Sequence, residues 1–346
     1  MKVAVAMSGG VDSSVVAGLM AREGHEVIGI TLQLYDQGAA TSRKGACCAG
    51  QDIYDAKRVA DRLGIAHYVV DAEARFKKSV ISAFADAYAA GETPVPCIAC
   101  NQHLKFGDLL EMARDFGAEA MATGHYVRRL DGPDGAEMHQ AVDQNRDQSW
   151  FLFATTRAQL DFCRFPLGGY ASKAEVRAVA AEMGLAVAEK ADSQDICFVP
   201  NGSYAGIVEK FRPDALESGE VVAEDGRLLG SHQGIARYTI GQAKRLPDAA
   251  AHMVVKKIEP GTRRIVVGPR GTQSKIVRLR DVNWLVEPRE LRAEVKLRAR
   301  DTLHPAGILP EGNGAVLTLD DPTLAAPGQA AVFYDGTRIL GGGFII

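Results

Sequence analysis

Between positions 6 and 14 the chain reads AMSGGVDSS, which packs two adjacent glycines, three serines and a carboxylate into nine residues. These types suit phosphate. Gly9 and Gly10 let the backbone approach an anion with no Cβ in the way. Ser8, Ser13 and Ser14 add hydroxyl donors, and a helix starting at the loop would add unpaired N–H groups and a positive dipole end. Asp12 would repel a bare phosphate, so its place inside the loop suggests a Mg²⁺ shared with the ligand. Its plainer use is to cap the helix. The lysine of G-x-x-x-x-G-K-[ST] is absent, and so is G-x-G-x-x-G.

The six cysteines are the second group able to do chemistry. In TPVPCIACNQHLKF, two prolines give an extended approach to C-x-x-C and a helical pattern follows, so Cys97 and Cys100 lie at or near a helix start. A thiol there has a depressed pKa. Cys197 stands in DSQDICFVP, just before a turn. The pattern fits half a metal site, a redox pair or unreactive, partly buried thiols. Cys163, in the aromatic FCRF, reads as packing. Cys47 and Cys48, in GACCAG, are left open.

These groups need elements to hold them. Val3 to Val5 read as a buried strand, and Val15, Val16, Leu19 and Met20 recur at helical spacing, so the loop lies where strand gives way to helix. VIGITL, AKRVADRLG, AHYVVDA, a long helical stretch from Ala74 to Ala89, LKFGDLLEMARDFG and AEAMATGHY then alternate. Such alternation implies a parallel sheet covered on both faces, with ligands beyond the carboxyl ends of its strands. SKAEVRAVAAEMG reads as a helix capped by Ser172, with Glu175 closing a capping box and Gly184 ending it. Beyond Pro200 the pattern changes, and from about Lys275 short alternating stretches separated by Gly, Pro and Asp suggest a small antiparallel barrel or sandwich. The expected division is 1–200, 201–274 and 275–346.

The 346 residues and 47% hydrophobic content allow two or three domains with real cores. No apolar run reaches the roughly 18 residues that span a bilayer, and the first strand runs straight into the loop with no signal-peptide pattern. A cytoplasmic protein is expected, with no membrane partner, and structural disulfides are then not expected of its cysteines. Net charge is −3, yet positions 256–300 hold thirteen Lys or Arg against five Asp or Glu, leaving +8 there and −11 elsewhere. Segregated positive charge fits nucleic-acid contact, or simply a solvated strand surface.

With these residues in view, the string S-G-G-V-D-S-S resembles the PP-loop of the ATP pyrophosphatases, which split ATP between its α and β phosphates and activate a carbonyl oxygen as an adenylate. Over nearly its whole length the chain resembles the tRNA 2-thiouridylase family of that superfamily. The matching strings are AMSGGVDSS, TPVPCIACNQHLKFG, ATGHY, DQSWFL, DSQDICFV, GSHQGIARYTIGQ and APGQAAVFYDGTRILGGGFI. The resemblance implies an α/β, Rossmann-like PP-loop domain, a small α+β or β central domain that serves tRNA binding, and a C-terminal antiparallel β-barrel.

It further implies that ATP, with Mg²⁺, binds Ala6, Met7, Ser8, Gly9, Gly10, Val11, Asp12 and Ser13, with Leu32 and Gly124. The C2 oxygen of the wobble uridine in tRNA for Lys, Glu or Gln is adenylated. A cysteine matching Cys197 receives persulfide sulfur from a carrier protein or a cysteine desulfurase. The match to Cys100 is the family's nucleophile, which either forms a disulfide with Cys197 and releases sulfide or resolves the persulfide, and AMP leaves. His125 sits by the target base. Val95, Pro96, Cys97, Arg146, Asp147, Gln148, Arg298 and Gln329 match tRNA-contacting positions, and the family suggests a monomer.

Three departures matter. Arg146 replaces the usual Lys, and Ala299 an aromatic. Cys97 stands where many members carry Asp, which gives Cys97, Cys100 and Cys197 as a trio resembling the ligands of iron-sulfur-dependent tRNA thiolases. Persulfide relay and cluster-assisted transfer therefore both stay open. Two other classes compete: a PP-loop enzyme adenylating a small acid or amide, which needs neither paired cysteines nor a basic barrel, and a non-catalytic RNA-binding protein, which leaves the PP-loop idle.

Overall fold

Val3, Ala4 and Val5 are buried on both faces, as a central strand of a parallel sheet requires. Residues 1–34, 49–192, 196–199, 204–271 and 274–346 are described, from a computed structural model. Cys47 and Cys48 lie outside them, as do Ser193, Gln194 and Asp195 of DSQDICFV. The chain divides into two compact units, Met1–Lys77 with Ile98–Pro200 and Gly336–Ile339, and Lys78–Cys97 with Asn201–Asp335 and Leu340–Ile346.

In the first unit, β1 (Lys2–Ala6), β2 (Glu26–Gln33), β3 (Ala66–Asp71), β4 (Ala120–Ala122) and β7 (Cys163–Arg164) form a parallel sheet in the order β3-β2-β1-β4-β7. Helix α1 (Val11–Arg22) follows β1, and α2 (Ala49–Leu63) joins β2 to β3. The chain moves outward from β1 through β2 to β3, then returns to β1's other side with β4. The strand order thus reverses at the carboxyl ends of β1 and β4, where open α/β sheets bind ligands. Val15, Val16 and Ala17 of α1 pack on Val3 and Val5.

The helical stretch expected from Ala74 spans 73–89. The helix after C-x-x-C spans 96–115, and over Cys100–Asp108 it widens into π-type turns, which the sequence pattern does not show. A hairpin of β5 (Val127–Gly132) and β6 (Gly135–Gln140) was also not anticipated. Helix α5 (Lys173–Glu182; the 73–89 and 96–115 helices are α3 and α4) has Ser172 as N-cap, accepting from Glu175 N at 3.3 Å. Its Glu175 carboxylate reaches Ala171 N at 3.1 Å, not the cap residue, so the expected box is displaced by one position. Residues 336–339 complete this unit: Thr337 O accepts from Gln140 N at 2.8 Å, Arg338 pairs in register with His139, and its guanidinium meets Glu137 at 2.9 Å.

The second unit holds β8 (Gly219–Ala223), β9 (Leu228–His232), β10 (Met253–Glu259) and β11 (Arg264–Pro269) in the order β10-β11-β8-β9, with α6 (Tyr204–Phe211). Beyond them, β12 (Ser274–Trp284), β13 (Leu291–Lys296), β14 (His304–Glu311), β15 (Gly314–Thr323), β16 (Ala330–Asp335) and β17 (Arg338–Ile345) run in the order β12-β15-β14-β13-β16-β17, and β12 pairs again with β17. The sheet is therefore closed, which settles barrel over sandwich and removes its edges. Val295, Leu317, Ala331 and Phe333 fill it.

His232 is a pH-sensitive tie in this unit. Its Nδ1 accepts from Gly234 N at 3.0 Å, so Nε2 carries the proton and donates to Arg263 O at 2.9 Å. Burial pushes its pKa below the ordinary histidine value. The unfolded chain then binds the extra proton more readily, so this contribution to stability is complete above about pH 6.5 and is lost as pH falls below it. Thermal melts between pH 7.5 and 5 should show a loss of stability that shrinks in His232→Asn; an unchanged acid slope in that variant would remove His232 as its source.

Candidate active site

Gly9 is fixed by geometry. Its φ is +74°, and a Cβ there would lie 2.1 Å from the Asp52 carbonyl oxygen of α2. Gly10 is the N-cap of α1 and no side chain caps that helix, so its first-turn N–H groups remain available to an anion. The loop also holds itself. Ser8 N donates to Ser13 Oγ at 3.1 Å, and Ser8 Oγ lies 3.2 Å from the same atom. Ser14 does not serve as a ligand-facing donor: it is fully buried and its hydroxyl donates to Gly10 O at 2.8 Å. Met7 N donates to Ile30 O at 2.9 Å and Met7 O accepts from Thr31 Oγ1 at 2.8 Å, which anchors the loop to β2.

The structure brings the expected nucleotide residues to one edge. Ala6 ends β1, Leu32 lies near the end of β2, and Gly124 follows β4. A Cβ on Gly124 would stand 2.9 Å from Ser13 N and 3.0 Å from Asp12 Cβ, so only glycine lets that strand end close on the loop.

Asp12 does not cap α1. Its Oδ1 accepts from the Tyr126 hydroxyl at 2.7 Å, and Lys173 Nζ lies 2.6 Å from each carboxylate oxygen. Lys173 reaches Asp192 at 3.1 Å, and Asp192 also meets Arg146 at 2.7 Å and Arg177 at 3.3 Å. Hydrogen bonds from Lys173 and Arg146 outweigh burial and hold the Asp192 carboxyl below its ordinary pKa. A second lysine, Lys190, donates to Gly9 O at 3.0 Å and pairs with Asp52 at 2.7 Å and Asp55 at 2.6 Å, tying the loop to α2. Tyr126, Lys173, Lys190 and Asp192 were not singled out from the sequence. The available signals were the lysine directly after the Ser172 cap and the charged run AEKAD.

His125 lies under the cysteine-bearing helix α4, with its ring centroid 5.7 Å from that of Phe106 and Nε2 3.5 Å from Lys105 Nζ. An ammonium can only donate, so Nε2 accepts and Nδ1 carries the proton toward Thr123 Oγ1, 2.9 Å away. Burial, helped by Lys105, pushes His125 well below its usual pKa and keeps it neutral. Cys100 is buried in α4, where the neighbouring Asn101 donates to Phe151 O at 3.2 Å. Cys197 is exposed on a turn closed by Val199 N to Ile196 O at 2.9 Å, with Phe198 buried edge-on against Phe76 at 5.8 Å. Cys163 is buried, and burial pushes its thiol up to about 12.

The segment 146–148 is engaged internally. Asp147 accepts from Ala141 N at 3.0 Å and Ser149 Oγ at 2.7 Å, and Gln148 Oε1 accepts from Tyr126 N at 2.8 Å. Val95, Pro96, Cys97, Arg298 and Gln329 belong to the second unit. There Cys97 is exposed, Gln329 Nε2 donates to Thr93 O at 2.9 Å, and Arg298 pairs with Asp301 at 3.4 Å. The basic run is less bare than its count implies. Arg264, Arg278, Arg280 and Arg292 pair with Glu220, Glu311, Glu92 and Asp320, carboxylates supplied from outside it.

A glycine-rich loop at the switch point of a parallel sheet, followed by a small mixed sheet and a closed barrel, defines a HUP-type nucleotide-site protein with two β appendages. Family descriptions match in that order: "tRNA methyl transferase HUP domain" over residues 1–201, "tRNA methyl transferase PRC-barrel domain" over 207–269 and "Aminomethyltransferase beta-barrel domain" over 274–345. The tRNA-specific 2-thiouridylase MnmA of Acidiphilium cryptum is 68% identical over 348 residues, covering 100% of both chains. The protein of that name from Gluconobacter oxydans is 62% identical, covering 100% of this chain and 99% of its own. That of Paracoccus denitrificans is 58% identical, covering 99% and 91%. The chain belongs to the tRNA-specific 2-thiouridylase family.

Proposed function

We propose that the chain is an ATP-dependent tRNA 2-thiouridylase that acts on the wobble uridine of tRNAs for lysine, glutamate and glutamine. The observation that carries this reading is the full-length agreement with 2-thiouridylases at 68% identity. ATP occupies the loop from Ala6 to Ser13 with Leu32 and Gly124, and the uridine C2 oxygen attacks its α-phosphorus, taking the adenylyl group with loss of diphosphate. A carbonyl oxygen becomes a leaving group once it is esterified in this way.

Among the described residues no three His, Cys, Asp or Glu side chains gather to hold a metal ion. Asp12, with Asp192 across Lys173, fits a Mg²⁺ that arrives on the nucleotide, since Mg²⁺ commonly combines one or two carboxylates with substrate phosphates. The ion would offset triphosphate charge.

Exposure supports the division of labour between the thiols that the family resemblance implies. Cys197, exposed, can accept sulfur from a donor protein; Cys100, buried, cannot meet one. The terminal sulfur of the Cys197 persulfide bonds to C2 and AMP departs with the C–O electron pair. Cys100 thiolate attacks Cys197 Sγ, the old S–S bond breaks toward the sulfur left on C2, and a Cys100–Cys197 disulfide remains for a thiol reductant to reopen. In the alternative order the disulfide forms first and free sulfide attacks. Arg146, Asp147, Gln148, Val95, Pro96, Cys97, Arg298 and Gln329 contact the tRNA, and neutral His125 sits by the base. A monomer serves one tRNA in the cytoplasm.

The test uses anaerobically purified protein with ATP, Mg²⁺, a persulfide donor and unmodified tRNA, before and after iron removal, scoring 2-thiouridine. Thiolation that survives iron removal supports the relay, and Cys97→Asp should then retain activity. Thiolation lost on stripping and restored by cluster rebuilding would replace the relay with cluster chemistry. Absence of thiolation in both states, with AMP formed from a small acid or amide, would move the protein to the other adenylating class.

A further inference from the structure

The loop lacks a lysine, yet two lysines from distant sequence reach it, and they are not equivalent. Lys190 joins the Gly9 carbonyl to Asp52 and Asp55, and no other cation is recorded on either of those carboxylates among the described residues. Its hydrogen bonds to them outweigh desolvation and raise its pKa. Turning it toward a ligand would strip both acids at once.

Lys173 is placed differently. It is the first residue of α5, so its backbone is set by the Ser172 cap, and its side chain is only 10% exposed. It is shared between Asp12 and Asp192. Asp192 keeps Arg146 and Arg177 if Lys173 leaves, and Asp12 keeps the Tyr126 hydroxyl. Turning Lys173 to an incoming anion therefore takes the cation from one carboxylate, Asp12, which keeps a hydroxyl donor, whereas turning Lys190 would take it from two, and loss of a partner from a partly buried ion pair is the costly outcome. Asp12, its partner, lies in the first turn of the uncapped helix at which an anion would bind.

We propose that Lys173 is the phosphate-binding lysine of this site, supplying from α5 the charge that the loop itself lacks, and that it holds the β,γ-diphosphate portion of ATP. This rests on the ATP reading above. Ammonium-to-phosphate bonds are charge-assisted and lost with the charge.

Calorimetric binding of α,β-methylene-ATP with Mg²⁺, and of AMP, to the full chain separates the two ideas. If the wild type binds neither, the ATP reading fails before Lys173 is tested. Given wild-type binding, Lys173→Met should weaken the triphosphate analogue about tenfold or more while leaving AMP unchanged, with Lys173→Arg intermediate. Inorganic diphosphate should compete with the analogue in the wild type and poorly in the variant. Equal losses for analogue and AMP, or no loss for either, would overturn the proposal. Melting curves identify a methionine variant that does not fold, and the analogue-to-AMP affinity ratio of Lys173→Arg then decides: a shifted ratio supports the assignment, an unshifted one refutes it.

Discussion

Cys197→Ser is expected to lower thiolation from a protein persulfide donor by about 10³-fold or more, because a hydroxyl cannot carry the transferred sulfur. Diphosphate release in the first turnover should persist, since adenylation precedes the sulfur step in the mechanism proposed. The exposed position of Cys197, on a turn pinned by buried Phe198, predicts a second difference. Cys197 should be alkylated readily in the folded protein. Cys163→Ser should leave thiolation intact, because that thiol is buried and pushed up to about 12, far from its reactive form. Single-turnover assays with radiolabelled ATP and sulfur donor separate the half-reactions; wild-type thiolation by Cys197→Ser would take this residue out of the pathway.

Gly9→Ala should be comparably severe by another route. The added methyl would fall 2.1 Å from a backbone oxygen at Asp52, and the residue's φ of +74° is unfavourable to any L side chain. Backbone cannot yield as a flexible side chain does. The loop must shift away from α2, which breaks the Lys190 bond to Gly9 O and moves the anion-binding N–H groups together. A fall of about 10²-fold in ATP-dependent turnover is expected, since misplacing a reacting group by about 1 Å costs that much. Nucleotide affinity and melting temperature measured on the same sample check it, and a variant with both unchanged would mean that the loop relaxes without cost.

The loop, the C-x-x-C helix and the alternation of strand and helix were legible because each is a local pattern: glycine, hydroxyl and periodicity signals act over a few residues. Closure of the barrel was only half legible, since spacing gives strands but the β12–β17 pairing that distinguishes barrel from sandwich spans the whole segment. The partners of Asp12 were not legible at all. Tyr126 lies 114 residues away and Lys173 161, and neither contact leaves a trace in local composition. The sequence expected Asp12 to serve a cation and the fold supplies one from its own chain. The charge count at 256–300 missed the pairing of its arginines for the same reason: the offsetting carboxylates come from other strands.

The four residues 336–339 carry a consequence for biosynthesis. Thr337 and Arg338 bond to the β6 segment that precedes Asp147 and Arg146, a contact spanning 198 residues between Thr337 and His139. A chain emerging from the ribosome can build its nucleotide sheet early, but the outer edge of the β5–β6 hairpin stays unpaired until positions 337 and 338 are made. Non-local closure of this kind is slow and leaves strand edges open meanwhile. Nascent chains halted before position 336 should therefore be cut by protease within the hairpin, and completed chains should not.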